Sequence, residues 1–216
     1  MRVALLSDMH GNAVAFRAAL ADLEEHEPDL IVSLGDVAQG GPQPRECVEL
    51  LQELGCQCVY GNSDHILVAL DFGGEQVDER VVETAEWSRG QLGEAGLGFL
   101  AGFEPTVLTG RVVCCHATPF SNEDVVLPDS DRITPVAADA VAAGHVHQQW
   151  LRRYGRTLWF CVGAIGVSRW CEYALVDDET LAVEFRRIPF DVDELIEEAR
   201  ANGFPHFDRW VASWRL

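Results

Sequence analysis

The chain has no lysine: all 16 of its basic residues are arginine, set against 35 acidic ones. Schiff-base chemistry and a phosphate loop built on a lysine ammonium are therefore excluded. The formal net charge of −19 argues against general binding of nucleic-acid backbones, which draws on a basic surface. Long apolar runs are also missing, and nothing approaches the length needed to cross a bilayer. The short apolar run after Arg2 stops at Ser7 and Asp8, too soon for a secretory signal core, so a cytoplasmic protein is expected. No paired C-x-x-C pattern occurs among the seven cysteines. They read as reduced, buried, small side chains, with a zinc knuckle at Cys56 and Cys58 as the less favoured alternative. A length of 216 residues suits one domain, 1–216, with a substantial core.

What is present is a recurring pattern. Val3 to Leu6 is apolar throughout and ends in Asp8, His10 and Asn12, as a strand buried on both faces would. Leu30 to Leu34 ends in Gly35-Asp36, and Cys56 to Tyr60 ends in Gly61-Asn62-Ser63-Asp64-His65. Helical spacing separates them, from Asn12 to about His26 and from Arg45 to Leu54. This βαβ rhythm predicts an α/β fold in which a doubly wound sheet brings the polar strand ends to one edge, where such sheets bind ligands. Val77 to Phe103 reads as two helices without chemistry. Two strands then lead into His116, and Ala117 to Asp131 reads as a surface loop beside the site. Ala137 to Ala143 runs into Gly144-His145-Val146-His147, a spacing that on a strand sends both rings to one face. Four further strands between Trp150 and Ile188 are expected to form a second, antiparallel sheet. Asp191 caps a helix to about Ala201, and Phe207, Trp210, Val211 and Trp214 form an aromatic stripe. That stripe is expected to pack on the body, with a homo-oligomer contact or a lid as alternatives.

Asp8, His10, Asp36, Asn62, His116, His145 and His147 mix hard oxygen with imidazole nitrogen, which suits transition ions such as manganese, iron, zinc or nickel better than calcium. The motifs Ser7-Asp8-Met9-His10-Gly11-Asn12, Gly35-Asp36, Gly61-Asn62-Ser63-Asp64, His116-Ala117 and Gly144-His145-Val146-His147 together resemble those of calcineurin-like metallophosphoesterases. Gly40-Gly41-Pro42-Gln43-Pro44, Cys115-His116-Ala117-Thr118-Pro119 and Arg187-Ile188-Pro189-Phe190-Asp191 extend the resemblance to the small bacterial phosphodiesterases of that group. The resemblance implies a four-layer α-β-β-α sandwich of two mixed sheets with two divalent metal ions at its edge. It implies that Asp8, His10 and His147 hold one ion and Asn62, His116 and His145 the other, with Asp36 bridging. It also implies a water or hydroxide between the ions that attacks a small phosphoester, more readily a diester than a monoester.

This sequence departs from the family in two places. Ser63 stands where many relatives have the His that protonates the leaving group. His65 is the nearest substitute in sequence, while Asp64 is expected to orient a ligand from behind. Cys161-Val162-Gly163-Ala164-Ile165-Gly166 replaces the usual Asn-Pro-Gly-Ser-Val-Gly, but Arg169 keeps the position of the family arginine and is a candidate phosphate contact, or else the partner of Glu172. His26 and His206 read as ordinary hydrogen-bonded histidines. The alternatives to a phosphodiesterase are a phosphomonoesterase or protein phosphatase, and a non-catalytic scaffold that keeps the fold. A DNA-processing nuclease is disfavoured by the acidic balance.

Overall fold

Strand β1 (Arg2–Leu6) divides its side chains between two cores. Val3 and Leu5 join a cluster with Val32, Ala142, Phe160 and Val176, whereas Ala4 and Leu6 join Phe16, Leu51 and Tyr173. Alternate residues of a strand face opposite ways, so a strand apolar on both faces must lie between two covering layers. The computed structural model of the chain describes residues 1–73, 77–131 and 133–214.

Two mixed sheets and the helices around them form the expected α/β sandwich. In chain order the strands are β1, β2 (Leu30–Ser33), β3 (Gln57–Cys58), β4 (Thr106–Thr109), β5 (Val112–Cys115), β6 (Ala140–Ala143), β7 (Gln149–Tyr154), β8 (Thr157–Val162), β9 (Trp170–Asp177) and β10 (Val183–Pro189). One five-stranded sheet runs β10-β9-β1-β2-β3 and the other β4-β5-β6-β8-β7. The helices are α1 (Ala13–Glu24), α2 (Pro44–Leu54), α3 (Asn62–Ala69), α4 (Glu79–Leu100), α5 (Val192–Ala201) and α6 (Phe207–Trp214). Asn12 and Asp191 cap α1 and α5 through their side chains, and Gly93 interrupts α4 with φ 61° and ψ −173°, giving the two helices read from the sequence. On the second sheet, Val141, Trp150 and Trp159 are packed by Val126, Ile133, Val136 and Ala138. No helix among the described residues is long and apolar enough to cross a membrane.

The last four strands do not make a sheet of their own. β7 and β8 complete the second sheet, while β9 pairs antiparallel with β1 and carries β10 on its outer edge. The reason is burial: Ala174, Leu175 and Val176 are covered on both faces, which suits a strand between two others. The first sheet is therefore mixed rather than doubly wound throughout. The third strand shrinks to Gln57–Cys58 because the chain turns at Gly61 into α3, a helix that the run of ligand types in Asn62-Ser63-Asp64-His65 concealed.

Candidate metal centre

Five of the loops that leave a strand at the shared edge carry the expected polar groups. Asp8 and His10 follow β1, Asp36 follows β2, Asn62 opens α3, His116 follows β5, and His145 and His147 follow β6. Asp8 (φ 56°), His10 (47°), Asp36 (56°), His145 (65°) and His147 (54°) all have left-handed backbone. For side chains other than glycine this costs on the order of 1–3 kcal/mol each and survives only where the surroundings impose it. Here the loops hold one another: the Asp8 N–H donates to the Gly35 carbonyl, His10 to Asp36, Gly144 to His116 and Gly166 to Asp8, at 2.8–3.0 Å. The turns send His145 and His147 to different places, so the strand rule that would align their rings does not apply.

Two groups of donor atoms result. In the first, Asp8, His10, Asp36 and His147 have ligand atoms within 4.8 Å of one another. His147 Nε2 lies 3.1 Å from both Asp8 Oδ1 and His10 Nε2, and His10 Nε2 lies 3.6 Å from Asp36 Oδ2. In the second, Asn62 Oδ1 lies 3.0 Å from both His116 Nε2 and His145 Nδ1, and His116 Nε2 lies 3.4 Å from Asp36 Oδ2. Asp36 thus belongs to both.

The ring nitrogens facing away explain what these contacts need. His10 Nδ1 donates to the Gln39 carbonyl at 2.8 Å, His116 Nδ1 to Leu34 at 2.7 Å, and His145 Nε2 to Glu123 at 3.1 Å. In the neutral rings the nitrogens turned toward the centre then carry bare lone pairs, and they face other lone pairs. Such an arrangement is repulsive unless a proton or a cation stands between the atoms. Donors bound about 2.0–2.2 Å from one cation lie roughly 3.0–3.5 Å apart, close to the separations seen here. The residues present therefore fit divalent ions.

Charge agrees. Burial opposes ionisation of Asp36, but His116 and His10 bring its pKa down to about 2; His10 and His147 likewise hold Asp8 well below the usual carboxylate range. Burial would depress His10 and His116, yet Asp8 and Asp36 raise them to about 9 and about 10. In the metal-free chain these two rings are protonated at neutral pH, and a cation must displace the protons. Uptake of divalent ions at pH 7 is expected to release close to two protons per chain, fewer as the pH rises through 9 to 10, and to weaken as the pH falls. Calorimetric titrations in buffers of different ionisation enthalpy measure this; proton-free uptake would contradict it. Because both pKa values lie above the ordinary value of about 6.5, the stability these rings give the metal-free fold is full below that pH and is lost as the pH rises through 9 to 10.

The remaining expected residues are placed differently. Asp64 is fully buried and accepts the backbone N–H groups of Asp36, Gly61 and Val37 at 2.9–3.0 Å. Burial and the Asp36 charge push its carboxyl up to about 6, and the three donors pull it back toward ionisation. It shapes the Asp36 loop and is closed to solvent. His65, expected as a substitute in the place of the missing His, is partly exposed and lies 3.9 Å from Asp71. That place is filled by Ser63, whose backbone N–H and Oγ donate to Asp36 at 2.8 and 2.7 Å. Arg169 is exposed and donates to the Trp214 carbonyl. Glu172 pairs with Arg187 instead, so the Arg169–Glu172 pair is not formed. Sequence reasoning missed Ser7, whose Oγ donates to Asp8 Oδ2 at 2.5 Å, and Gly61, where a Cβ would collide with the Asp36 carboxylate.

Comparison with known proteins agrees with this architecture. The family model described as the calcineurin-like phosphoesterase superfamily domain matches residues 1–180. An uncharacterised protein of Methanocaldococcus jannaschii is 24% identical, with 95% of this chain and 94% of that one covered. The crystal structure of a metallophosphoesterase from Sphaerobacter thermophilus is similar at a TM-score of 0.77, with 24% identity and 99% of each chain covered. A hypothetical protein from Pyrococcus horikoshii reaches a TM-score of 0.84, with 21% identity and 95% and 94% covered.

Proposed function

Because this chain belongs to the calcineurin-like phosphoesterase superfamily, we propose that it is a metal-dependent phosphoester hydrolase, and specifically a phosphodiesterase working with two divalent ions. Asp8, His10 and His147 would hold one ion, Asn62, His116 and His145 the other, and Asp36 both. The observation that carries this reading is the pair of lone-pair clusters joined at Asp36. Bound there, divalent ions supply Lewis acidity to phosphoryl oxygens and make solvent nucleophilic near neutral pH. The donor set suits manganese, iron, zinc or nickel.

The chain's own residues do the rest. Two carboxylates against two doubly charged ions leave net positive charge, which attracts an anionic phosphate. The Gln39 and Leu34 carbonyls fix the tautomers of His10 and His116. Ser7 and Ser63 hold the two carboxylates in orientation. No side chain is left at the Ser63 position to protonate a leaving group, since its hydroxyl is engaged with Asp36. Substrates with acidic leaving groups are favoured for that reason.

The test is turnover of a series of esters by the folded protein loaded with manganese, nickel or zinc. Bis(p-nitrophenyl) phosphate is expected to be hydrolysed, and rates are expected to fall about 10²- to 10⁴-fold for leaving groups that need protonation. No metal-dependent turnover on any member would count against the reading.

A further inference from the structure

Two clefts flank the candidate centre. One, of about 310 Å³, opens beside His116 and is walled by Tyr60, Phe103, Pro105 and Phe120. The other, of about 240 Å³, lies against His10 and His147 and is walled by Val167, Trp210 and Trp214. His116 and His10 both reach toward Asp36, from the two different donor groups, so the clefts adjoin opposite ends of the centre.

Among the described residues that line it, the cleft beside His116 has no carboxylate or guanidinium, so these offer no counter-charge to an ionic group beyond the centre itself. Phe120, at its rim, is 63% exposed. The backbone that carries the ring is nonetheless held. Thr118 and Ser121 exchange backbone hydrogen bonds across the turn that carries it, and Thr118 Oγ1 accepts from the N–H groups of Phe120 and Ser121. An aromatic ring held open to water beside a cleft gains apolar contact when a flat partner covers it. The volume lies at the lower end of the roughly 300–1,000 Å³ typical of ligand pockets, enough for one ring system.

Resting on the reading of the centre as a phosphoester hydrolase, we infer that the substrate carries an organic group on each side of its phosphorus, with an uncharged planar ring seated between Tyr60 and Phe120. Tyr60 and Phe120 then determine specificity by holding the ring of the ester group that stays on phosphorus, and the cleft at Trp210 takes the leaving group.

Two esters with the same leaving group separate this from the chemistry: bis(p-nitrophenyl) phosphate and ethyl p-nitrophenyl phosphate. The loaded protein is expected to prefer the two-ring ester at least tenfold in kcat/KM, mostly through KM. Phe120→Ala should reduce that preference to threefold or less. Tyr60→Phe, which keeps the ring, should retain it and Tyr60→Leu should not. Binding of AMP against ribose 5-phosphate, followed by NMR, gives a readout independent of turnover and shows whether a nucleobase is accepted as well as a nitrophenyl ring. AMP is expected to bind at least tenfold more tightly, with shifts at Tyr60 and Phe120 that Phe120→Ala abolishes. Equal handling of both esters and equal binding of both phosphates would overturn the ring site while leaving the hydrolase reading intact. Turnover of neither ester would sink the hydrolase reading, and the binding comparison would still decide the ring site.

Discussion

Asp36→Asn is expected to lower kcat for bis(p-nitrophenyl) phosphate by on the order of 10³-fold, about 4 kcal/mol of transition-state stabilisation, with the fold kept. The substitution changes little in shape. An asparagine oxygen can still accept the Ser63 N–H, and its amide nitrogen can donate to Ser63 Oγ, which has lone pairs to offer. What disappears is the negative charge shared by the two donor groups. His10 and His116, whose protons that charge helps to hold, lose part of their raised basicity. Metal content should fall from two ions per chain to one or fewer after dialysis, while far-ultraviolet circular dichroism stays close to the parent. Full turnover in the variant would contradict the bridging role.

Asp64→Ala is expected to do the opposite, damaging the fold first and the site through it. Three buried backbone N–H groups, on Asp36, Val37 and Gly61, would lose their acceptor together. Each unsatisfied donor costs roughly 1–3 kcal/mol, and with partial relaxation the total is about 3–5 kcal/mol, a large share of ordinary domain stability. Asp64→Asn restores an oxygen on one side but points an amide at a donor on the other, so an intermediate loss is expected. Urea unfolding of the three proteins measures the order. Equal midpoints would show that the carboxylate does not hold the Asp36 loop. Where the folded variant is loaded with metal, its defect should appear as weakened metal affinity, since Asp64 is shut off from substrate.

The parts of this architecture that could be read in the chain are those in which local pattern and global fold coincide. Val3 to Leu6 is apolar on both faces because it lies between two cores, and Asn12 and Asp191 cap the helices their positions announce. The seven candidate ligands do converge, because each stands where a strand ends at the same edge. Long-range choices were not legible. Whether β9 joins β1 or β8 depends on which layers cover Ala174 to Val176, and no local periodicity records that. Nor does spacing reveal backbone strain: His145 and His147 would share a face on a strand, but left-handed turns at both send them to separate donor groups. The Arg169–Glu172 pair failed to form for a related reason. The motif position of Arg169 is kept, yet the carbonyl at the end of α6 competes for its guanidinium. Ser63 marks the limit of motif reasoning, which identified a missing histidine but not the hydroxyl bond to Asp36 that replaces it.

Anomalous scattering from crystals of the manganese-loaded protein tests the central claim most directly. Two peaks are predicted, one bonded to Asp8, His10 and His147, the other to Asn62, His116 and His145, with Asp36 touching both. A single peak, or ions bound away from these side chains, would contradict it.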